Sequence, residues 1–251
     1  IIVMVDEAHR TQYNTLGENM RAALPNANFI AFTGTPLLGA KRLTNQWFGN
    51  YVSEYNFAQS VEDGATVPLF YSRRVPTVDL SNAELQADME TLMKDEGLND
   101  AEKKKLENCG SRILEVIKRD ERLEVVAQDI VKHFINRGFK GKGMVVSIDK
   151  FTAVTMYNKV KTYWDKEQTE LRKKRNTSTG EERKKIQETL DYMNTVEMAV
   201  VISEEADEVE KFQAKGLDIT THRKKMNAIT PEGLDIEDRF KDPNDPLQLV
   251  F

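Results

Sequence analysis

The sequence predicts an α/β protein: parts of two parallel-sheet units, joined and decorated by helices. Three observations predict it. Short continuous apolar runs, IIVMV (1–5), NFIAF (28–32) and MVVSI (144–148), carry the pattern of strands buried on both faces. Helical patterns separate these runs, and strand, helix, strand is the signature of a parallel sheet. A fresh strand–helix unit then starts at GKGMVVSIDKF, after a long helical stretch, so a domain boundary falls between Val75 and Lys142.

In chain order, IIVMV is the first strand. A polar helix follows, with Leu16, Met20 and Leu24 at four-residue steps and a stop at Pro25. The second strand runs from Phe29 to Phe32 and ends in Thr33-Gly34-Thr35-Pro36. Residues 66–80 read as extended and rich in β-formers. Residues 81–137 read as helical, with capping-box patterns at SNAE (81–84) and NDAE (99–102). From Ser111 one long helix carries Val116, Leu123, Ala127, Ile130 and Phe134 on one face, and Gly138 ends it. The next strand spans Met144 to Ile148, with Asp149 as N-cap of a helix whose apolar stripe is Ala153, Tyr157, Val160 and Trp164. Residues 165–188 are a charge run broken by NTSTG. They read as a solvated helical hairpin, with a nucleic-acid-touching arm as the sharper alternative. MAVVIS (198–203) and the closing DPLQLVF are further strands. A chain that starts and stops on core strands is expected to be a segment of a longer polypeptide.

Composition narrows the function. The chain has 251 residues, 39% hydrophobic and 31% charged, with a net charge of −5. That balance argues against coating nucleic acid by bulk charge, yet leaves room for a local basic groove. No apolar run approaches the ~18 residues of a membrane helix. The single cysteine, Cys109, excludes an internal disulfide and fits a reducing cytoplasm.

The chemistry concentrates at the end of the first strand. Asp6 and Glu7 follow IIVMV directly, placing two carboxylates at the carboxyl edge of a parallel sheet, where open α/β folds bind ligands. Nucleotide hydrolysis needs two anions there. One holds the magnesium that bridges the phosphates, and the other orients and deprotonates the attacking water. A surface Asp-Glu pair capping a helix is the plainer reading, but DEAH after a run of β-formers is more specific than a bare acid pair. TGTP at the tip of the next strand places hydroxyls within reach of His9.

The order VDEAHR…FIAFTGTPL resembles motifs II and III of superfamily-two helicases and translocases. YNFAQSVEDGATVPLFYSRR (55–74), GLDITTHRKKMN (216–227) and DRFKDPNDPLQLVF (238–251) resemble the motor, or R, subunit of type I restriction enzymes. The resemblance implies parts of two RecA-like domains. Residues 1–80 would belong to the first, 81–140 would form a helical linker, and 141–251 would belong to the second. It implies Asp6 as the magnesium-binding acid and Glu7 as the catalytic base. His9, Thr33, Gly34 and Thr35 would couple ATP hydrolysis to movement on DNA. Ser147 and Lys150 would touch the DNA backbone at a helix N-terminus; a solvent-exposed cap accounts for these two equally well. Its cofactors are ATP and Mg²⁺. Its partners are double-stranded DNA and the methyltransferase and specificity subunits of the restriction complex, in the cytoplasm and with no membrane.

A phosphate-cradling G-x-x-x-x-G-K-[ST] loop is missing from the sequence. The nearest string, GTPLLGAKR (34–42), has the glycine spacing, but Ala40 intrudes before Lys41 and no hydroxyl follows. The nuclease site and motifs V and VI are not found in the sequence either, so the chain alone is expected to be inactive. Two other readings share these residues: a different superfamily-two helicase or remodelling motor, and a non-enzymatic DNA-binding or assembly module with a relic motor fold.

Overall fold

The computed structural model describes residues 1–8, 15–36, 43–74 and 114–251. Within these, Ile1–Arg74 form one compact unit and residues 114–251 belong to a second. His9, Cys109, Gly39 to Arg42 and both predicted capping boxes at 81–84 and 99–102 lie outside the described residues.

The first unit is built on two parallel strands. β1 (Ile2–Val5) pairs with β2 (Asn28–Ala31), Ile2 opposite Asn28 and Val5 opposite Ala31. α1 (Thr15–Ala23) joins them and stops before Pro25, as its spacing predicts. α2 (Leu43–Phe48) and α3 (Phe57–Glu62) follow. Arg21 of α1 knits the layer together. Its guanidinium lies 4.2 Å from the centre of the Phe29 ring, 4.9 Å from Trp47 and 5.1 Å from Phe48, and it donates to the Trp47 carbonyl at 2.7 Å. Cations are attracted to ring faces at such distances.

The strand pattern predicts burial on both faces, but only one face of β1 is covered. Val5 is buried, whereas Ile2 and Met4 are 71% and 73% exposed. Successive side chains point to opposite faces, and among the described residues no layer packs on the Ile2–Met4 side. Residues 66–74, expected to be extended, join no ladder there; residues 75–80 lie outside the described set.

The second unit holds a three-stranded, all-parallel sheet. β3 (Gly143–Met144) and β4 (Glu197–Ala199) flank β5 (Leu247–Val250), which is last in the chain and central in the sheet. α4 (Asp120–Asn136) packs against α5 (Lys150–Thr177), and α5 doubles back on α6 (Gly180–Thr195). Three short helices, α7 (Glu208–Gln213), α8 (Thr220–Met226) and α9 (Ile236–Lys241), lie between β4 and β5. Leu123, Ala127 and Phe134 of α4 share one core cluster with Val160 and Trp164 of α5, and Ala153 is buried as well, following the stripes that the periodicity predicts.

Three boundaries differ from the sequence reading. The helix expected from Ser111 is interrupted at Lys118–Arg119, where Arg119 is extended (φ −56°, ψ 136°) and α4 restarts at Asp120. Asp120 and Glu121 suit a new N-terminus because carboxylates favour that end of the helix dipole. Lys159 of α5 fixes the start by pairing with Asp120 at 2.7 Å and Glu124 at 2.5 Å. The strand expected over Met144–Ile148 pairs only at Gly143–Met144, extended by one bond from the Val145 amide to the Val250 carbonyl at 2.8 Å. Beyond it Val146 is 86% exposed. Of MAVVIS only Met198 and Ala199 lie in β4, which starts one residue earlier at Glu197, with one further bond from the Val201 amide to the Phe251 carbonyl at 2.8 Å.

Candidate functional site

Parallel pairing sends both strands of the first unit toward the same edge. The Phe32 amide donates to the Val5 carbonyl at 2.8 Å, and the Ala8 amide returns to the Phe32 carbonyl at 3.2 Å. The chain leaving β1 therefore folds across the tip of β2, pinned by the fully buried Ala8. Asp6 and Glu7 form the turn between these bonds, and both are exposed. The Glu7 amide donates to Asp6 Oδ1 at 2.9 Å. Glu7 has φ +47°, a left-handed conformation that non-glycine residues seldom adopt. Such strain costs about 1–3 kcal/mol and tends to collect at functional sites.

One residue beyond Phe32, the TGTP turn begins. The Thr35 amide donates to Thr33 Oγ1 at 3.2 Å, a local bond that sets the turn. Thr33, Gly34 and Thr35 thus share the carboxyl edge of the sheet with Asp6 and Glu7. His9, the remaining predicted member, lies outside the described residues.

The residues present fit a magnesium ion. Mg²⁺ takes hard oxygen ligands, commonly one or two carboxylates with the rest from water and substrate phosphates. Two adjacent exposed carboxylates supply that donor set. Among the described residues no group of three or more His, Cys, Asp or Glu side chains forms an all-protein metal site.

The second unit also has an open carboxyl edge. A cavity of about 760 Å³ lies there, walled by apolar residues such as Met144, Val201 and Phe251, with Ser147 and Lys150 at its lining. Asp149 is the N-cap of α5, accepting from the Thr152 amide at 2.7 Å, as predicted. It also pairs with Lys118 at 2.6 Å. Burial pushes the Asp149 carboxyl up, but Lys118 and the Thr152 amide outweigh it and hold the group below its ordinary value. An anion therefore already sits at this helix N-terminus. Lys150 faces Glu205 at 3.4 Å, and Glu205 also pairs with Lys211. These two lysines, Lys211 first, hold the Glu205 carboxyl below its usual range.

The sequence reading missed Lys142. Its ammonium donates to the carbonyls of Leu247 at 2.7 Å, Asp245 at 2.9 Å and Arg239 at 3.3 Å, tying the start of β3 to β5 and α9. It also missed Arg223 of α8, which pairs with Glu208 at 2.7 Å and donates to the Ile202 carbonyl at 3.1 Å, behind the end of β4. Both partners are distant in sequence, and no local pattern signals them.

Residues 1–104 match the SWI2/SNF2 ATPase family model. The type I restriction enzyme HindI endonuclease subunit of Haemophilus influenzae is 30% identical over 268 residues, covering 100% of this chain and 21% of that protein. Two proteins of Methanocaldococcus jannaschii, assigned as the MjaIXP and MjaVIIP endonuclease subunits of type I restriction enzymes, are 34% and 29% identical. They cover 62% and 61% of this chain, and the chain covers 15% and 16% of their length. The chain thus spans about a fifth or less of the curated relatives it matches. No solved structure matches it.

Proposed function

The chain belongs to the family of type I restriction enzyme endonuclease subunits, and on that premise we propose that it forms the part of an ATP-driven DNA translocase where nucleotide hydrolysis meets movement on DNA. The observation that carries this reading is the parallel register of β1 and β2. It brings Asp6 and Glu7 to the same sheet edge as Thr33, Gly34 and Thr35.

Asp6 would hold Mg²⁺ together with ATP phosphates, and Glu7 would take the proton of the attacking water. The bound ion supplies charge neutralisation on the phosphates. The adjacent acids could divide these roles, because neighbouring positions at a strand end can point to different sides. Thr33 and Thr35, on the neighbouring tip, would pass the nucleotide state onward, with His9 as the bridge. Ser147 and Lys150 would contact DNA phosphates. Lys150 can exchange Glu205 for a phosphate at little cost, since partly exposed ion pairs are worth ~0–1 kcal/mol.

In this reading residues 1–80 and 141–251 are portions of two RecA-like domains, and 81–140 connects them. The whole enzyme would act on double-stranded DNA beside methyltransferase and specificity subunits, in the cytoplasm. The chain alone would not turn over ATP, because no phosphate-cradling loop stands in its sequence.

The test is made in a full-length subunit that carries this segment. Glu7→Gln keeps shape but removes the base, so ATP should still bind while hydrolysis falls by about 10²–10⁴. Asp6→Asn should weaken magnesium-dependent nucleotide binding as well. ATP affinity and turnover are measured for both variants. Normal hydrolysis by Glu7→Gln would remove the acid pair from the chemistry.

A further inference from the structure

Burial thins out along the α5–α6 hairpin, where beyond Trp164 only the partly buried Leu171 of α5 still packs against the core cluster. The buried side chains of α5 lie between Thr152 and Trp164, and none follows before Thr177. The remaining 13 residues extend about 20 Å at 1.5 Å per residue. α6 returns from there, with its buried side chains starting only at Ile186.

The far end is strongly basic. From Arg172 to Lys185 seven cations stand against two carboxylates, a net of +5 in a chain whose total is −5. Lys173 pairs with Glu170 and Lys174 with Glu182, while Arg175 is held by Gln187 and Asn176. Arg172, Arg183, Lys184 and Lys185 are exposed, and no salt bridge among the described residues engages them. Like charges on one tip repel, which disfavours the folded hairpin unless something anionic offsets them.

We propose that this hairpin tip is a docking surface for the phosphate backbone of duplex DNA, separate from Ser147 and Lys150. Charge and the lack of apolar surface together select this partner. A protein interface has an apolar core ringed by polar groups. Among the described residues between Asp149 and Val200, no large hydrophobic side chain is exposed. Phosphate binding needs no apolar core. Duplex DNA presents about one negative charge per 1.7 Å, and cations that meet it gain by releasing counterions. Such contacts set position and carry no base information, which suits a motor that moves along any sequence. The tip rests on the DNA-motor reading only for the identity of its polyanion.

The experiment measures binding of the full chain to a mixed-sequence duplex by fluorescence anisotropy, across 50–200 mM salt and without nucleotide. Arg172→Gln/Arg183→Gln/Lys184→Gln/Lys185→Gln is compared with wild type. The sites are exposed, glutamine is as good a helix former and the substitutions relieve like-charge repulsion, so the melting temperature should not fall. The slope of log affinity against log salt should become shallower by about 2–4, at ~0.9 per phosphate lost. Affinity at 100 mM salt should fall by at least tenfold, equally for unrelated duplexes. Arg172→Lys/Arg183→Lys should keep the slope. An unchanged slope in the quadruple variant would overturn the proposal, as would absence of wild-type binding at 50 mM salt. Polyglutamate competing as well as DNA at equal anion concentration would give the tip to an acidic protein instead. No ATP is used, so failure of the Glu7 assignment leaves this result readable, and the reverse holds as well.

Discussion

Gly143 is where the second unit tolerates least. A methyl group built there would lie 2.9 Å from Phe134 Cε2, 3.0 Å from Leu249 Cδ1 and 3.3 Å from Phe134 Cδ2. Neither neighbour can yield cheaply. The Phe134 ring has Arg137 over it at 3.9 Å and Trp164 edge-on at 6.0 Å, and Leu249 belongs to the central strand. Overpacking of this kind costs about 1–3 kcal/mol. Against it, Gly→Ala lowers the entropy of the unfolded chain, worth about 0.4–1 kcal/mol. Gly143→Ala should therefore destabilise by about 1–2 kcal/mol in urea unfolding followed by circular dichroism, with the m-value unchanged. Phe134→Leu should relieve part of the clash, so the double variant should lose at least about 0.5 kcal/mol less than the two singles added. Equal or higher stability of Gly143→Ala, or strict additivity with Phe134→Leu, would refute the claim that β3 is held at van der Waals distance from α4.

Lys142→Met should cost about 2–4 kcal/mol in the same assay, because it leaves the Arg239, Asp245 and Leu247 carbonyls without their charged donor; a loss under 0.5 kcal/mol would mean that water replaces it. Burial holds the His222 imidazole below its ordinary 6.5, and Asp218 only partly offsets this. The unfolded chain then takes up the proton first. The stability that neutral His222 contributes is full above pH 6.5 and is lost as pH falls through its lower folded value. His222→Gln should flatten the wild-type decline in melting temperature below pH 6.5, and an identical decline in both proteins would place the titration elsewhere.

What the sequence discloses here depends on how local the cause is. The stripe Ala153, Tyr157, Val160 and Trp164 repeats at helical spacing, and three of its four members are buried in α5. Asp149 caps that helix through a bond three residues away. The hairpin turn at NTSTG is equally local. Strand lengths are not, because a ladder needs a partner chosen across the chain. Met144–Ile148 has the composition of a five-residue strand, but Val250 is the last β5 carbonyl that it meets. Lys142 bonds to carbonyls that lie 97 to 105 residues away, and Lys150 to a carboxylate 55 residues away. Nothing in the neighbouring sequence marks either pair.

The acid pair was legible for a reason that also shows how it is held. Asp6 and Glu7 stand out because they terminate an apolar run, and the same run fixes them in space. The bonds from Phe32 to Val5 and from Ala8 to Phe32 bracket the two carboxylates, so their backbone is set by the sheet ladder. Buried Ala8 anchors the far side of the turn and leaves no slack for Glu7 to relax its positive φ. The side chains themselves stay exposed. The placement of the two carboxylates thus comes from main-chain hydrogen bonds, while both residues remain exposed at the sheet edge. Sheet pairing and apolar burial pay for the strained turn, and substitutions at the carboxylates should alter chemistry far more than folding.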